Sequence, residues 1–251
     1  MVNYISVTDD VRHPLLKYPD FPIRARGYSY GDDMNRESTT PTGCWTMYTN
    51  AENGAGGATA LSLTFCGRIM TTDVTAGNDQ HDRVSGIRLE RAYQSTITGM
   101  RFPAEDVTGT IRTYQPFSVD SAADGEAFIG IHSGVAQINA LPTTARHLGV
   151  YWDISAGANY MLTSSNGTTQ VTVDTTIPVD TAIHILRIDW TGEDAATLQL
   201  LTAAGATEGT GATVTAFNGT SANAHELTWF VQAEAGGAVV LTYYPWRVSW
   251  L

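Results

Sequence analysis

The chain of 251 residues has two cysteines, one lysine (Lys17) and no apolar run that approaches membrane-spanning length. Cys44 and Cys66 are too few for a disulfide framework, and no zinc spacing surrounds them. They read either as two small buried hydrophobes or as one bridge between flanking strands. Its six histidines (His13, His81, His132, His147, His184 and His225) form no His-x-His or His-x-x-x-His pair. Charged residues make up 16% of the chain and the net charge is −11, so no basic stripe is available to neutralise phosphates. Neither a nucleic-acid partner nor a membrane is expected. The first ten residues lack a basic segment followed by an apolar one, so no secretory leader is read there, and synthesis in a cytoplasm is the expectation.

Catalytic patterns are missing as well. A glycosidase on a β scaffold needs two carboxylates about 5–9 Å apart, and the one-strand pattern Glu-x-Asp-x-x-Glu does not occur. The nearest acidic groups, Asp120 with Asp124-Gly125-Glu126, Glu193-Asp194 and Glu105-Asp106, read as turns, and Asp189 stands alone on its strand. There is no Gly-x-Ser-x-Gly elbow, and Gly54-Ala-Gly-Gly57 has no Lys-Ser/Thr after it to cradle phosphate. Gly77-Asn-Asp-Gln-His-Asp82 reads as a polar surface loop; its oxygens suggest calcium, but without the spaced acidic register of a known calcium loop. No catalytic residue, cofactor or metal is therefore expected.

What the chain does have is alternation. In Ala182–Trp190, His184, Leu186, Ile188 and Trp190 fall on one side, with Arg187 and Asp189 on the other, which is a strand with one face in a core. His184, sharing that face, reads as a satisfied structural histidine. Leu148–Ile154, Gln170–Asp174 and the segment holding Leu198 and Leu200 follow the same rule. Asn166-Gly167 signals a two-residue hairpin with positive φ at both positions. Further strands are expected at Gly43–Tyr48, Ala60–Cys66, Arg68–Thr72, Val84–Glu90, Ser95–Phe102, Thr108–Val119, Ala127–His132, Glu226–Glu234 and Ala238–Leu251, the last with a bulge or an edge at Pro245. With six tryptophans and 43% hydrophobic residues for a core, these strands predict an all-β chain: a two-sheet antiparallel jelly-roll sandwich over residues 27–251.

Residues 1–26 differ. Three prolines stand close together in Val11–Ile23, which predicts an extended N-terminal arm unable to build its own core. Its apolar residues Leu15, Leu16, Tyr18, Phe21 and Ile23 need a surface, either on their own domain or on a neighbouring subunit, and are the candidate partner-docking set. The aromatics Tyr243, Tyr244, Trp246 and Trp250 form a candidate sugar-stacking set, provided some face solvent.

Taken in order, Gly31-Asp-Asp-Met34, Trp45, Gly67-Arg-Ile-Met-Thr-Thr72, Ala127-Phe-Ile-Gly-Ile131, Gly149-Val-Tyr-Trp152 and His184–Trp190 resemble the concanavalin A-like lectin/glucanase jelly roll found in tailed-bacteriophage virion proteins. The resemblance covers residues 31–251. It departs from the family where the glucanase carboxylates and the lectin metal ligands would stand, since neither has a counterpart here. It implies a binding or structural module on a capsid or tail surface; with the apolar arm, the missing catalytic set and the acidic, lysine-poor composition, the expectation is a non-enzymatic virion structural protein made in the host cytoplasm, a capsid decoration attached partly through its arm. Its partner would be the major capsid protein or another virion protein. A homo-oligomer, for instance a trimer, would suit that role, although no heptad supports one. The alternatives are a carbohydrate- or receptor-binding module of a tail fibre or baseplate, and a glycoside hydrolase with rearranged carboxylates.

Overall fold

The computed structural model describes residues 29–31, 46–52, 58–62, 67–85, 111–122, 125–133, 140–143, 145–190, 195–214, 225–234, 237–244 and 246–250. Among them every regular element is a β-strand. The first eight are β1 (Ser29–Gly31), β2 (Thr46–Glu52), β3 (Ala58–Ser62), β4 (Gly67–Thr71), β5 (Asp79–Ser85), β6 (Ile111–Ser121), β7 (Gly125–Ser133) and β8 (His147–Asp153). The rest are β9 (Asn159–Ser165), β10 (Gln170–Pro178), β11 (His184–Trp190), β12 (Ala196–Thr202), β13 (Thr207–Val214), β14 (His225–Ala233), β15 (Val240–Tyr243) and β16 (Arg247–Trp250).

The strands form two antiparallel sheets. One runs β13-β12-β11-β6-β15-β4-β3, with β16 on the first half of β6 and β1 on β16. The other, of seven strands, runs β10-β9-β8-β7-β14-β5-β2. The expected sandwich is therefore present. Its core is the set of inward-facing residues that the alternation marks: Leu186 and Ile188 on β11, Leu148, Val150 and Trp152 on β8, Leu198 and Leu200 on β12. Phe117 lies parallel to Trp152 at 6.4 Å, and Tyr160 meets both rings edge-on. These contacts tie β6 of one sheet to β8 and β9 of the other.

Several expectations change. Residues 79–82 are not a surface loop: they enter β5, paired between β14 and β2, and all four are fully buried. Alternation sends Asp79 and Asp82 to opposite faces of the sheet, so the two carboxylates cannot converge on one calcium ion. Asn166-Gly167 does not make the two-residue turn. Only Gly167 takes positive φ, because the Asn166 side-chain oxygen accepts the N–H groups of Thr168 and Thr169 and closes a four-residue loop instead. β13, Thr-Glu-Gly-Thr-Gly-Ala-Thr-Val, has no apolar alternation and is not foreseen; it is an edge strand held by its pairing to β12 and by β10 packed against it. The expected last strand divides into β15 and β16 on either side of Pro245. The arm, Cys44, Cys66, residues 86–110 (with the expected strand Ser95–Phe102), Glu193-Asp194 and Pro245 itself lie outside the described residues.

Candidate functional site

Each strand of the seven-stranded sheet has a face turned away from the core. Its registers align those outward residues into rows: Glu126 opposite Asp153 and Gln232, Phe128 opposite Tyr151 and Phe230, Gly130 opposite Gly149 and Thr228, His132 opposite His147. The glycine row has no side chain of its own, and the Phe128 ring lies over Gly149, where a Cβ would stand 2.6 Å from it. Leu141, from the connection between β7 and β8, packs with Phe128, Phe230 and Tyr151. This face is thus partly covered by the chain itself.

Polar contacts pin that connection down. Leu141 donates its N–H to Glu126 Oε1 (3.3 Å), and Gln170 donates to the Pro142 carbonyl (3.4 Å). His147 Nδ1 lies 2.8 Å from the Ala145 carbonyl, which can only accept, so the ring proton is on Nδ1 and Nε2 accepts from the Thr163 hydroxyl at 2.9 Å. Gln170 in turn donates to Thr163 Oγ1 (3.1 Å). Burial drives the His147 imidazole down to a pKa of about 4, so it is neutral near pH 7, as this arrangement requires.

At one end of the face three carboxylates meet. Glu126 on β7, Asp153 on β8 and Glu234 just beyond β14 bring one oxygen each to within 4.8 Å of the others. Burial raises the Glu126 carboxyl to about 7, and the charges of Glu234 and Asp153 push it the same way. Asp153 Oδ1 accepts the Ser155 N–H (2.9 Å), the Ser155 hydroxyl (2.7 Å) and the Ala156 N–H (3.1 Å), so it closes the turn that follows β8. Ser155 also reaches Glu234 at 3.4 Å. Chemically the trio can hold a hard cation or share a proton.

Reading Glu126 as part of a turn is therefore corrected: it is a strand residue at the centre of an acidic cluster. A signal for it was in the chain. Alternation places Glu126, Asp153 and Glu234 each on the outward side of its own strand, but their meeting depends on β8 and β14 both pairing with β7.

The other sequence-chosen residues fare differently. Tyr243, Tyr244 and Trp246 are at most 6% exposed, so they cannot stack on a sugar from solvent. Tyr243 and Trp246 belong to the core between the sheets, where Trp229 stacks on Tyr243 at 4.5 Å, and Tyr244 is buried on the other side of β6 with its hydroxyl 3.1 Å from Ser118 Oγ. The side chain of Trp250 lies outside the described residues, as do Leu15, Leu16, Tyr18, Phe21 and Ile23. Asp189 is gripped by both nitrogens of the Arg112 fork, at 2.6 and 2.9 Å, an ion pair that fixes β6 to β11 on the outside of the larger sheet. His184 is buried with Nδ1 2.8 Å from Glu208 and Nε2 3.0 Å from Asp180, a structural clip between β11, β13 and the segment before β11.

No protein-family model matches the sequence, and no curated protein matches it. Solved structures do. The CBM2 module of the evolved Dit of Lactobacillus casei BL23 phage J-1 is 15% identical and covers 90% of this chain and 97% of its own, with a TM-score of 0.53. A seed lectin of Lotus tetragonolobus is 10% identical over 88% of this chain and 98% of its own, with a TM-score of 0.54. A family 16 endo-glucanase of Bacteroides ovatus is 11% identical over 87% and 99%, with a TM-score of 0.52. Identities this low speak to the backbone arrangement alone. That arrangement, two stacked antiparallel sheets with the strand order above, is the concanavalin A-like jelly-roll fold.

Proposed function

We propose that the chain is a non-enzymatic, phage-type virion module, a capsid-surface decoration protein attached partly through residues 1–26. One observation carries this reading: the groups that could do chemistry are engaged in holding the fold. Asp153 closes its turn, Glu126 anchors the β7–β8 connection, His147 and Thr163 bond to each other, and three of the four candidate stacking aromatics are core. The likeness to a module of a phage protein supports the particle setting. The apolar, proline-rich arm supplies the means of attachment, and the major capsid protein or another virion protein is its partner. Deleting residues 1–26 tests this. A folded body that no longer joins its particle is the expected result, and normal incorporation of the truncated protein sinks the proposal.

A second reading has its own observation. Carboxylate oxygens within 4.8 Å of one another, one of them on a carboxyl that keeps its proton to about pH 7, are the raw material of an acid and nucleophile pair. It predicts release of reducing sugar from polysaccharides that Glu126→Gln abolishes; no release from a broad substrate panel at pH 5–7 disposes of it. Carbohydrate binding, the remaining alternative, loses the aromatics first chosen for it, and a blank glycan array would close it.

A further inference from the structure

We infer that the free edge of β10, over Gln170–Asp174, is a self-pairing surface on which a second copy of this chain docks antiparallel, with Thr172 on the two-fold axis. This inference is independent of the virion reading.

β10 ends the seven-stranded sheet and, among the described residues, pairs only with β9. The hairpin loop fixes the phase of that pairing, because Asn166 donates its N–H to the Thr169 carbonyl at 3.3 Å. Bonded and non-bonded pairs alternate along an antiparallel ladder. From that loop onward, Val171 opposite Ser164 and Val173 opposite Leu162 are therefore the bonded pairs. Gln170, Thr172 and Asp174 fall on the non-bonded positions, so their N–H and C=O groups point away from β9 across the edge. Beyond Asp174 the edge is blunted: Thr176 has φ 64, the register shifts before Pro178, and Gly209 of β13 comes up against the Thr175 carbonyl. The open ladder is five residues long.

Those five residues carry none of the usual guards of an exposed edge, having no lysine, no proline and no bulge. They also leave an apolar side chain in the open. Among the described residues only Val74 and Val171 are large, apolar and exposed, at 60% and 43%. Val74 lies in the connection between β4 and β5, whereas Val171 is on this edge, on the same side of the sheet as Val173, which packs against the core.

Another copy of the same edge fits it. With a two-fold axis at Thr172, Gln170 faces Asp174 of the second copy, Val171 faces its Val173, and the two Thr172 residues face each other. The three positions with free backbone groups then meet as bonded pairs, and the valines meet as the closer, non-bonded ones. Each exposed valine is covered, a threonine pair sits at the centre, and no like charges stand directly opposed. The two Asp174 carboxylates are four residues apart along the ladder, about 13 Å. That exceeds the Debye length of about 8 Å at physiological salt, so their repulsion is screened. Moving the axis by half a residue sets free groups against engaged ones. Moving it by a whole residue puts Gln170 opposite the bent Thr176, or Asp174 opposite Thr168 in the hairpin loop. Only the axis at Thr172 uses all five residues. The contact is isologous and closes at two copies, and its small size makes the dimer weak.

The full chain tests this. Sedimentation velocity should show a reversible monomer–dimer equilibrium that shifts to the dimer as protein concentration rises. In hydrogen exchange the Thr172 amide should slow in step with the dimer fraction, while the Val171 and Val173 amides are protected throughout. Val171→Lys and Thr172→Pro should each abolish the dimer and leave the melting temperature within about 3 °C of the parent, because both positions are exposed and an edge strand tolerates lysine and proline. If Thr172→Pro does not fold, Val171→Lys decides alone. A chain that stays monomeric at every concentration, an assembly of three or more copies, a dimer that the folded variants retain, or a Thr172 amide that exchanges freely within the dimer each overturns the inference.

Discussion

Glu126 and His147 sit on the same sheet face, and burial moves them in opposite directions along the pH scale. The His147 pKa is depressed from 6.5 to about 4, so its contribution to stability is fully present above pH 6.5 and is lost as the pH falls toward 4. For Glu126 the shift is from 4.5 to about 7, so its contribution is fully present below pH 4.5 and is lost as the pH rises through 7. Between pH 4.5 and 6.5 the two slopes oppose; above 6.5 only Glu126 acts. Glu126→Gln should therefore flatten the decline in unfolding free energy between pH 6.5 and 8. That decline is on the order of 1 kcal/mol, because solvent screens a half-exposed carboxyl. Denaturant titrations at those two pH values check it, and an unchanged slope in the variant contradicts it. A second residue-scale expectation concerns the bond that crosses the core. Tyr243→Phe removes the hydroxyl that Asp82 accepts, at a cost of about 1–3 kcal/mol with the packing on Trp229 kept. Urea unfolding of the variant measures it.

At the scale of elements, the open side of the sandwich depends on a close approach between two edge strands. Gly209 on β13 has φ +60, and a Cβ there would stand 2.3 Å from the Thr175 carbonyl of β10. Neither the backbone angle nor the space admits a side chain. Gly209→Ala should cost about 2–4 kcal/mol, and hydrogen exchange should rise first in β10 and β13 rather than in β7 and β14. Uniform loss of protection across both sheets would contradict that local account. The same corner explains why β13 was missed. Its sequence shows no strand period, and its pairing comes from β12, with the register shifting opposite Leu198–Leu200 where β13 carries two extra residues between Glu208 and Ala212. β5 was missed for another reason: its buried polar residues imitate a loop, and only the strands on either side of it show that Asp79–Asp82 is sheet.

For the whole molecule, charge and chain ends bear on assembly. On the proposed virion reading, attachment would rest on apolar contact through Leu15, Leu16, Tyr18, Phe21 and Ile23 rather than on charge attraction. Binding of the full chain to its particle should then depend weakly on salt between 0.05 and 0.5 M, judged against a Debye length of about 10 Å at 0.1 M. A steep loss of binding with salt, followed by co-sedimentation, would show ionic attachment instead. Among the described residues, Phe117, Trp152 and Tyr160 already join the two sheets, so truncation is expected to leave a folded body.

Alternation of apolar side chains was enough to determine strands, inward faces and a two-layer antiparallel body, because a period of two depends on neighbours along the chain. It also put Asp153 and Glu234 on outward sides, whereas Glu126 read as a turn residue. Which strands lie beside which is not a local property. The meeting of Glu126, Asp153 and Glu234 and the burial of Tyr243, Tyr244 and Trp246 depend on pairings between strands up to a hundred or more residues apart. The tertiary structure decided them, because burial and electrostatics act through space while sequence patterns report only what the chain does over a few residues.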